Sequence, residues 1–408
     1  MVRVWQDVVL PDPYFLSANP NFLRLKKNLK KNNRSLFYRI SAWLHLWLGL
    51  ATGIVVIIVS VTGALLTFEE ELRVMFQPYQ SVKDEGKPFL PPSKLAEAVK
   101  KKYGIAGVSA VLYRGKDRSV VIPWYGDRKN MLVNYVNPYT AEPLYSQRLD
   151  DDFYRIMIVG HYQLWMTRNI GKPIVAYSTL IFVITLFTGL ILWWPKRWTN
   201  ATRKQSFFVR TKGTLKRLNY DLHNVLGFYA LAIALILGLT GMVYGMEWFS
   251  KAVYWSASGG EKQSFERSVS DTTLLAKPGL ADEDIIFRRL LVAKIDMVNQ
   301  HITFGYPYGK TGAWSVAFNP KPNTRYLERS DYYEQHSLKL LKSDPAYDKL
   351  NGGAQLLKLN YDLHVGSIWG LGTKIIAFLA CVISASLPIT GFIIWLSKGK
   401  KKKKKVVA

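Results

Sequence analysis

The sequence is poor in cysteine, and that scarcity excludes several kinds of site. Its 408 residues include one cysteine, Cys381, so an intrachain disulfide cannot form. The C-x-x-C-H pattern of covalent haem attachment is also absent. Any haem in this protein would therefore be held without a covalent bond.

Charged residues are missing from four long stretches. The segments 41–68, 173–195, 222–246 and 375–397 contain no Asp, Glu, Lys or Arg. Each is long enough for a helix that crosses a bilayer, which needs about 20 apolar residues. We therefore expect four transmembrane helices. The first run starts about 40 residues into the chain and lacks an A-x-A cleavage pattern, so we interpret it as a retained span rather than a signal peptide.

Acidic residues are nearly absent from three basic segments. Residues 1–40, 196–220 and 398–408 carry 8, 8 and 7 Lys+Arg with two acids in total, and they account for most of the net charge of +26. Basic segments beside spans stay in the cytoplasm. This topology explains the basic clusters, so we expect a lipid bilayer and no nucleic acid as partner. Residues 69–172 and 247–374 would lie outside.

These patterns predict a four-helix transmembrane bundle with two external α+β domains. The expected organisation is a cytoplasmic basic N-terminus at 1–40, helix 1 at 41–70, an external domain at 71–155, helix 2 with an external extension at 156–196, a cytoplasmic basic loop at 197–220, helix 3 at 221–249, a second external domain at 250–358, helix 4 with an external extension at 359–397 and a cytoplasmic Lys-rich tail at 398–408.

Four of the six histidines stand at matched distances from Thr-Gly pairs in the apolar runs. The distance from histidine to threonine is 17 positions in the first and third spans, and 27 and 26 in the second and fourth. Such matched offsets indicate an internal duplication of about 180–200 residues. The four histidines are His45, His161, His223 and His364.

The predicted topology puts two of these histidines on each side of the membrane. His45 and His223 lie at the cytoplasmic ends of their spans, and His161 and His364 at the external ends. Ionisable groups at membrane depth are costly and usually functional. A six-coordinate haem iron takes two axial imidazoles, whereas zinc needs three or four ligands. The pattern therefore favours one haem on each side.

The spacing in spans two and four conflicts with a straight helix. A helix of 27 residues rises about 40 Å at 1.5 Å per residue, more than the roughly 30 Å hydrocarbon core. We therefore expect breaks or kinks in TRNIGKP at 167–173 and VGSIWGLG at 365–372.

Small and basic residues near the histidines are candidate haem contacts. Gly49 and Gly227 come one turn after a histidine and would let a flat ring approach the backbone; ordinary helix packing is the alternative. Arg39, Arg168 and Arg217 could bind haem propionates; anchoring at the membrane surface is the alternative.

The pentapeptide NYDLH occurs twice, at 219–223 and 360–364. Its aspartate precedes the histidine by two positions, and on a helix that side chain faces away from the imidazole. We interpret Asp221 and Asp362 as helix N-caps, with an indirect contact to the imidazole as the alternative.

The sequences of the two external segments predict both helices and strands. PPSKLAEAVKKKYG at 91–104 has helical spacing and precedes several strand-like pieces, and the second segment is a looser version. Their aromatic residues could form either a substrate surface or domain core. These are Trp124, Tyr125, Tyr306, Tyr308, Trp314, Tyr332 and Tyr333.

Several motifs together resemble the PepSY-associated transmembrane family of bacterial inner-membrane proteins. They are RISAWLHLWLGL (39–50), YVNPYTAEPL (135–144), GHYQLW (160–165), TGLILWWPKRW (188–198), NYDLHNVLGFY (219–229) and the closing TGFIIWL. YVNPYTAEPL is similar to the PepSY signature, with Asn137 in place of Asp and Ala141 in place of Gly. The second external domain departs further from that pattern.

The resemblance implies an activity as well as a fold. The family includes ferric-siderophore reductases with four spans, two external PepSY-like domains and haem-ligating histidines. This implies two non-covalent b-type haems, one ligated by His45 with His223 and the other by His161 with His364. The chain would then be a multi-pass inner-membrane oxidoreductase that takes electrons from a membrane or cytoplasmic donor. It would reduce a periplasmic ferric siderophore and release Fe(II) for iron uptake.

Two other classes of function stay open at this point. One is a membrane-anchored peptidase inhibitor or sensor built on PepSY-like domains, which has no need of four matched histidines. The other is a metal or haem transporter, which would want polar groups along its spans.

Overall fold

A computed structural model of the chain describes residues 35–126, 130–264, 268–274 and 279–406, with side chains through Ser397. The basic segment 1–34 and the side chains of the Lys-rich tail lie outside the described residues. Their placement in the cytoplasm stays a prediction.

The helices of the described chain are, in order, α1 (Leu36–Thr67), α2 (Glu69–Phe76), α3 (Pro92–Tyr103), α4 (Phe153–Gln163), α5 (Arg168–Trp193), α6 (Asn200–Phe207), α7 (Leu215–Gly245), α8 (Glu247–Ala257), α9 (Asp282–Val292), α10 (Gly352–Val365) and α11 (Leu371–Val406). The strands are β1 (Ala110–Tyr113), β2 (Val120–Trp124), β3 (Leu132–Val136), β4 (Pro143–Arg148), β5 (His301–Gly305), β6 (Trp314–Asn319), β7 (Arg329–Tyr333) and β8 (Leu340–Ser343).

Among the described residues, four helices are long and apolar enough to cross a membrane: α1, α5, α7 and α11. These helices are 26 to 32 residues long, which at about 1.5 Å per residue exceeds the roughly 30 Å hydrocarbon core. They cover the four uncharged runs except for the last one or two residues of three of them, so the prediction of four spans is confirmed. The chain is a multi-pass membrane protein.

The four spans form a bundle in which α1 and α7 occupy opposite corners. Each of these two helices packs against both α5 and α11. Small residues allow close contact, as where Gly53 meets Pro388 and Gly238 meets Val183. Side chains on the inner faces of α1 and α7 therefore point toward a shared centre.

Both expected helix breaks are present. The chain reverses between α4 and α5 through Leu164 and Trp165, which both have φ of 55°. A Cβ on Gly171 would clash there with the Gln163 carbonyl, so the reversal requires that glycine. Between α10 and α11, Gly366 ends the helix with φ of 75°. The second break lies inside the predicted segment, and the first lies just before the segment predicted for it.

The strands form one antiparallel sheet of eight in the order β4-β3-β2-β1-β5-β6-β7-β8. The strands from residues 69–172 form one half and those from residues 247–374 form the other, joined at β1 and β5 with Leu112 opposite Thr303. We expected two external α+β domains, and in the structure their strands share this single sheet. The reason is that the edge strand β1 finds its hydrogen-bonding partner in the other segment.

The sheet buries a core to which both segments contribute. Leu95 and Val99 of α3 and Ile286 of α9 are fully buried with Val111 of β1 and Phe304 of β5. The order of elements around it is the same in both segments: a helix, four strands and a second helix. Among the candidate aromatic residues, Trp314 is buried in this core, whereas Tyr308 is exposed.

The turn between β3 and β4 carries the family-like sequence. Ala141 has φ of 60°, a left-handed conformation that glycine adopts at lower cost. The Asn137 side chain accepts a hydrogen bond from the Tyr139 amide at 2.9 Å, as an Asp would. Both departures from the signature therefore keep the turn.

Two ion pairs fasten α2 to helices of the bundle; Asp152 of the first pair is buried, whereas Glu71 of the second is exposed. The Arg73 guanidinium donates to both carboxylate oxygens of Asp152 at 2.7 Å, which joins α2 to α4. Lys374 of α11 donates to Glu71 of α2 at 2.7 Å. These pairs therefore fasten α4, which carries His161, and α11 to α2.

Candidate functional site

The four matched histidines form two facing pairs inside the bundle. The ring centres of His45 and His223 are 6.2 Å apart with their planes at 84°. Those of His161 and His364 are 6.0 Å apart at 63°. The second pair lies at the end of the bundle next to the sheet, which we call the sheet end. The first pair lies at the opposite end, which we call the far end.

Each imidazole is held through Nδ1 by a threonine on a neighbouring helix. His45 contacts Oγ1 of Thr188 at 3.3 Å, and His223 contacts that of Thr390 at 2.9 Å. The sheet-end pair repeats the arrangement: His161 with Thr62 at 3.2 Å and His364 with Thr240 at 2.9 Å.

These contacts determine which nitrogen carries the proton. The Thr390 hydroxyl donates to the Ser386 carbonyl at 3.0 Å, so its oxygen is left to accept from His223. His161 Nδ1 also lies 2.9 Å from the Val59 carbonyl, which can only accept. The proton therefore sits on Nδ1. Nε2 is left with a free lone pair, the form in which an imidazole binds a metal.

A glycine follows each of these threonines and faces the same imidazole. A Cβ on Gly189 would lie 3.0 Å from Cε1 of His45, and one on Gly63 would lie 3.0 Å from Cε1 of His161. The corresponding distances are 3.2 Å for Gly391 and 3.4 Å for Gly241. Glycine lets the ring lie against the helix backbone.

The holding contacts stay within each half of the chain, whereas the histidine pairs join the halves. In the first half, α5 holds the histidine of α1 and α1 holds that of α4. In the second half, α11 holds the histidine of α7 and α7 holds that of α10. Each half therefore orients one imidazole at each end of the bundle.

His223 lies in an irregular turn of its helix. Residues Leu222–Leu226 form a π-helical turn within α7. Such turns are rare and are frequent at functional sites. The sequence pattern did not predict this turn.

The haem-contact roles that we proposed for two glycines and three arginines stay predictions. A Cβ on Gly49 would meet Thr185 at 3.7 Å, and one on Gly227 would meet Leu387 at 3.4 Å, so both face neighbouring helices. Arg39 and Arg168 are exposed. Arg217 forms an ion pair with the buried Asp221 at 2.7 Å.

The interpretation of the two aspartates as N-caps is wrong. Asp221 lies inside α7, whose N-cap is Thr214. Asp362 lies inside α10, whose N-cap is Asn351, and its carboxylate accepts from the amides of Arg325 and Tyr326. Both carboxylates are fully buried and bind polar groups of the adjoining loop or turn.

A polar cavity of about 310 Å³ lies between the sheet and the sheet-end histidines. Its floor includes Leu66 and Thr67, one turn beyond the Thr-Gly pair that holds His161, and Val365, next to His364. Cations, acids and one histidine line its sides: Arg114, Arg325 and Lys374, then Glu69, Glu70 and Glu328, and His301. None of the seven aromatic residues that we considered as a substrate surface lines this cavity.

The charges in this cavity balance one another. Burial would raise the pKa of Glu70, but the charges of Arg114 and Arg118 outweigh it and lower that pKa. Burial lowers the pKa of His301, which favours the neutral ring at pH 7. The cavity therefore combines fixed cations, carboxylates and neutral donors.

A comparison with known families assigns the chain as a whole. The family model described as the PepSY-associated TM region matches residues 42–398. The chain belongs to this PepSY-associated TM family. The matched range contains all four histidines and all four Thr-Gly pairs, so the resemblance found in the sequence motifs is confirmed. No curated protein matches this PepSY-associated TM protein.

Sequence reasoning missed what holds the histidines. We recognised the Thr-Gly pairs as repeats, but we used them only as reference points for the position of each histidine along its span. The signal that could have assigned them is their number, one pair for each histidine. The cavity residues left no such signal, because they come together from distant parts of the chain.

Proposed function

We propose that this protein transfers electrons across the bacterial inner membrane through two haem b groups and reduces a ferric siderophore in the periplasm. The observation that carries the proposal is the facing pair of imidazoles at each end of the bundle. In this reading His45 and His223 ligate one iron, and His161 and His364 ligate the other.

The spacing within each pair suits a single iron between two imidazoles. A ligating nitrogen lies about 2 Å from its metal, and the ring centre about 1 Å further, so two axial rings have centres about 6 Å apart. The observed 6.2 and 6.0 Å agree with this value. Within the described residues no group of three or more His, Cys, Asp or Glu could hold a metal ion instead.

The chain's own contribution is to fix the imidazoles before anything binds. When bound, a haem would supply one-electron redox chemistry at each site. The threonines keep the proton on Nδ1, the glycines let the rings seat against the helices, and the low-charge spans exclude water. An Nδ1–H bonded to oxygen also makes Nε2 a stronger ligand.

The two pairs lie on opposite sides of the hydrocarbon layer. His45 belongs to the far end, and Thr62, 17 residues later on the same helix, holds His161. That separation corresponds to about 26 Å of helix rise. Two sites at these depths support transfer across the membrane rather than along one face.

The cavity at the sheet end is the proposed position of the electron acceptor. It adjoins Val365, the neighbour of His364. Its cations and neutral donors can bind the oxygen groups that surround ferric iron in siderophores. Reduction to Fe(II) weakens binding to such oxygen donors and would release the metal.

The direction of transfer follows from charge. The basic loop 196–220 adjoins the far end, and basic loops stay in the cytoplasm. The donor, a cytoplasmic or membrane reductant, would therefore reach His45 and His223 first.

The proposal is tested by reducing the purified protein anaerobically with dithionite, removing the excess and adding a ferric hydroxamate chelate. We expect the haem bands to reoxidise while an Fe(II) indicator reports one Fe(II) per electron. A His364→Ala variant should reoxidise much more slowly. Reduced haems that persist in the presence of the chelate would contradict the acceptor assignment. Haem-free protein would favour the sensor or transporter alternatives.

A further inference from the structure

Each NYDLH copy contains an asparagine that reaches the same threonine as the histidine. The Asn219 side-chain amide donates to the Thr390 carbonyl at 3.0 Å. The Asn360 amide donates to the Thr240 carbonyl at 3.2 Å. The proposed function assigns no role to either asparagine.

Helix geometry explains why the two side chains share one target. Positions i and i+4 lie one above the other on a helix face, and Asn219 and His223 have that spacing. The asparagine therefore binds the backbone of Thr390 while the histidine binds its hydroxyl. Asn360 and His364 bind Thr240 in the same way.

We propose that Asn219 and Asn360 are positioning residues for the imidazoles of His223 and His364, an inference that rests on the proposed haem function. Two contacts to one residue fix both the height and the rotation of one helix against the other. With a single contact, the helix could turn about it and swing Nε2 away from its partner. The asparagines therefore aim the imidazole.

In the described part of the first half, the matching positions make no such second contact. Ser41 and Met157 stand four residues before His45 and His161, and neither side chain resembles asparagine in length and chemistry. Each site thus pairs two histidines on different kinds of helix. One helix makes a second contact to its neighbour through an asparagine, and the other helix does not.

The rival role for these asparagines is helix association. A buried amide in a membrane helix is costly unless bonded, and interhelical hydrogen bonds stabilise bundles. That role predicts a general loosening that affects both sites together. A positioning role predicts an effect confined to one site, because Asn219 serves only the far end and Asn360 only the sheet end.

The test compares Asn219→Leu with Asn360→Leu, which keep the branching at Cγ and remove the donor. Haem per chain is measured by pyridine haemochrome, and the ligand geometry of each ferric haem by its low-temperature EPR signal. We expect Asn219→Leu to shift one signal and Asn360→Leu the other. Haem affinity at the affected site should fall about tenfold, as when other groups that orient metal ligands are removed. The unaffected site reports that the protein is folded.

Several results would overturn the inference. One is two unchanged EPR signals with full haem content in both variants. Another is both signals moving together in each variant, which would assign the asparagines to helix association. Where a Leu variant fails to fold, the Ala variant replaces it. If the Ala variant also fails to fold, the asparagine is assigned to helix association. Wild-type protein without haem would instead refute the proposed function itself.

Discussion

His45 and His223 stand on helices at opposite corners of the bundle, yet their ring centres are only 6.2 Å apart. Each ring is supported by the helix next to its own, within its own half of the chain. The pair therefore joins two side chains that are each oriented by contacts within their own half of the chain. Changes that move one support should affect one end of the bundle and spare the other.

Gly189→Ala should damage the far-end site. The added Cβ would lie 3.0 Å from Cε1 of His45, closer than carbon atoms normally pack, so the imidazole must move. We expect haem content to fall from two per chain toward one. Gly49→Ala on α1 is the matched control, because its Cβ would meet Thr185 at an ordinary 3.7 Å. Equal haem loss in both variants would contradict the assignment.

Thr390→Val should weaken the same site through the other histidine. Valine keeps the shape of threonine but cannot accept a hydrogen bond from the Nδ1–H of His223. In the wild type, Nδ1 lies 2.9 Å from the Thr390 hydroxyl oxygen. We expect a lower haem affinity, by about tenfold, and a changed midpoint potential at one haem. Thr390→Ser retains the hydroxyl and should restore both properties. A Val variant with the wild-type potential would show that the hydroxyl does not orient the ring.

Asp152→Asn should destabilise the junction between the sheet and the bundle. The carboxylate is 4% exposed and pairs with Arg73, and breaking a buried pair costs about 3–5 kcal/mol. The variant should unfold at lower temperature in detergent at pH 7. Glu247→Gln removes the exposed pair with Lys251 and should change the unfolding temperature little.

The same carboxylate predicts a pH dependence. Burial would raise the pKa of Asp152, but its hydrogen bonds and the charge of Arg73 outweigh burial and hold it below 3.8. Its stabilisation is therefore full above about pH 4 and is lost as the pH falls through the lower folded-state pKa. The stability difference between wild type and Asp152→Asn should shrink in that range. A difference that is constant down to pH 2 would contradict the pairing.

Arg325→Gln should raise KM for a ferric chelate and leave haem content unchanged. The guanidinium lines the cavity and lies 4.1 Å from the centre of the Tyr361 ring, where it can meet an oxygen-rich ligand. Steady-state reduction with a fixed electron donor measures the effect. Lys310→Gln, in the exposed β5–β6 loop, is the control. An unchanged KM would remove Arg325 from the acceptor site.

The bundle could be predicted from the sequence because a bilayer imposes a simple composition. Uncharged runs of about 20 residues leave few alternatives to a spanning helix. The break after His364 was predicted because 26 residues between histidine and threonine are too many for one straight crossing. These features depend on length and polarity, which the sequence displays directly.

The roles of individual polar residues were harder to predict. Asp221 and Asp362 resembled N-caps locally, but the helices begin several residues earlier at Thr214 and Asn351. Their partners come from other segments, such as the amide of Arg325 for Asp362. Likewise, nothing local in β1 indicates that its neighbour is β5 across the two halves. Contacts between distant segments leave no periodic signal.

The most direct test of the proposed function is the haem content and visible spectrum of wild type, His45→Ala and His161→Ala, each with and without dithionite. We predict two low-spin, bis-histidine b-type haems per wild-type chain. Each variant should lose one haem, and the two variants should retain haems that differ in potential. A wild-type protein that contains no haem when purified from haem-replete cells, or variants that each keep both haems, would contradict the proposal.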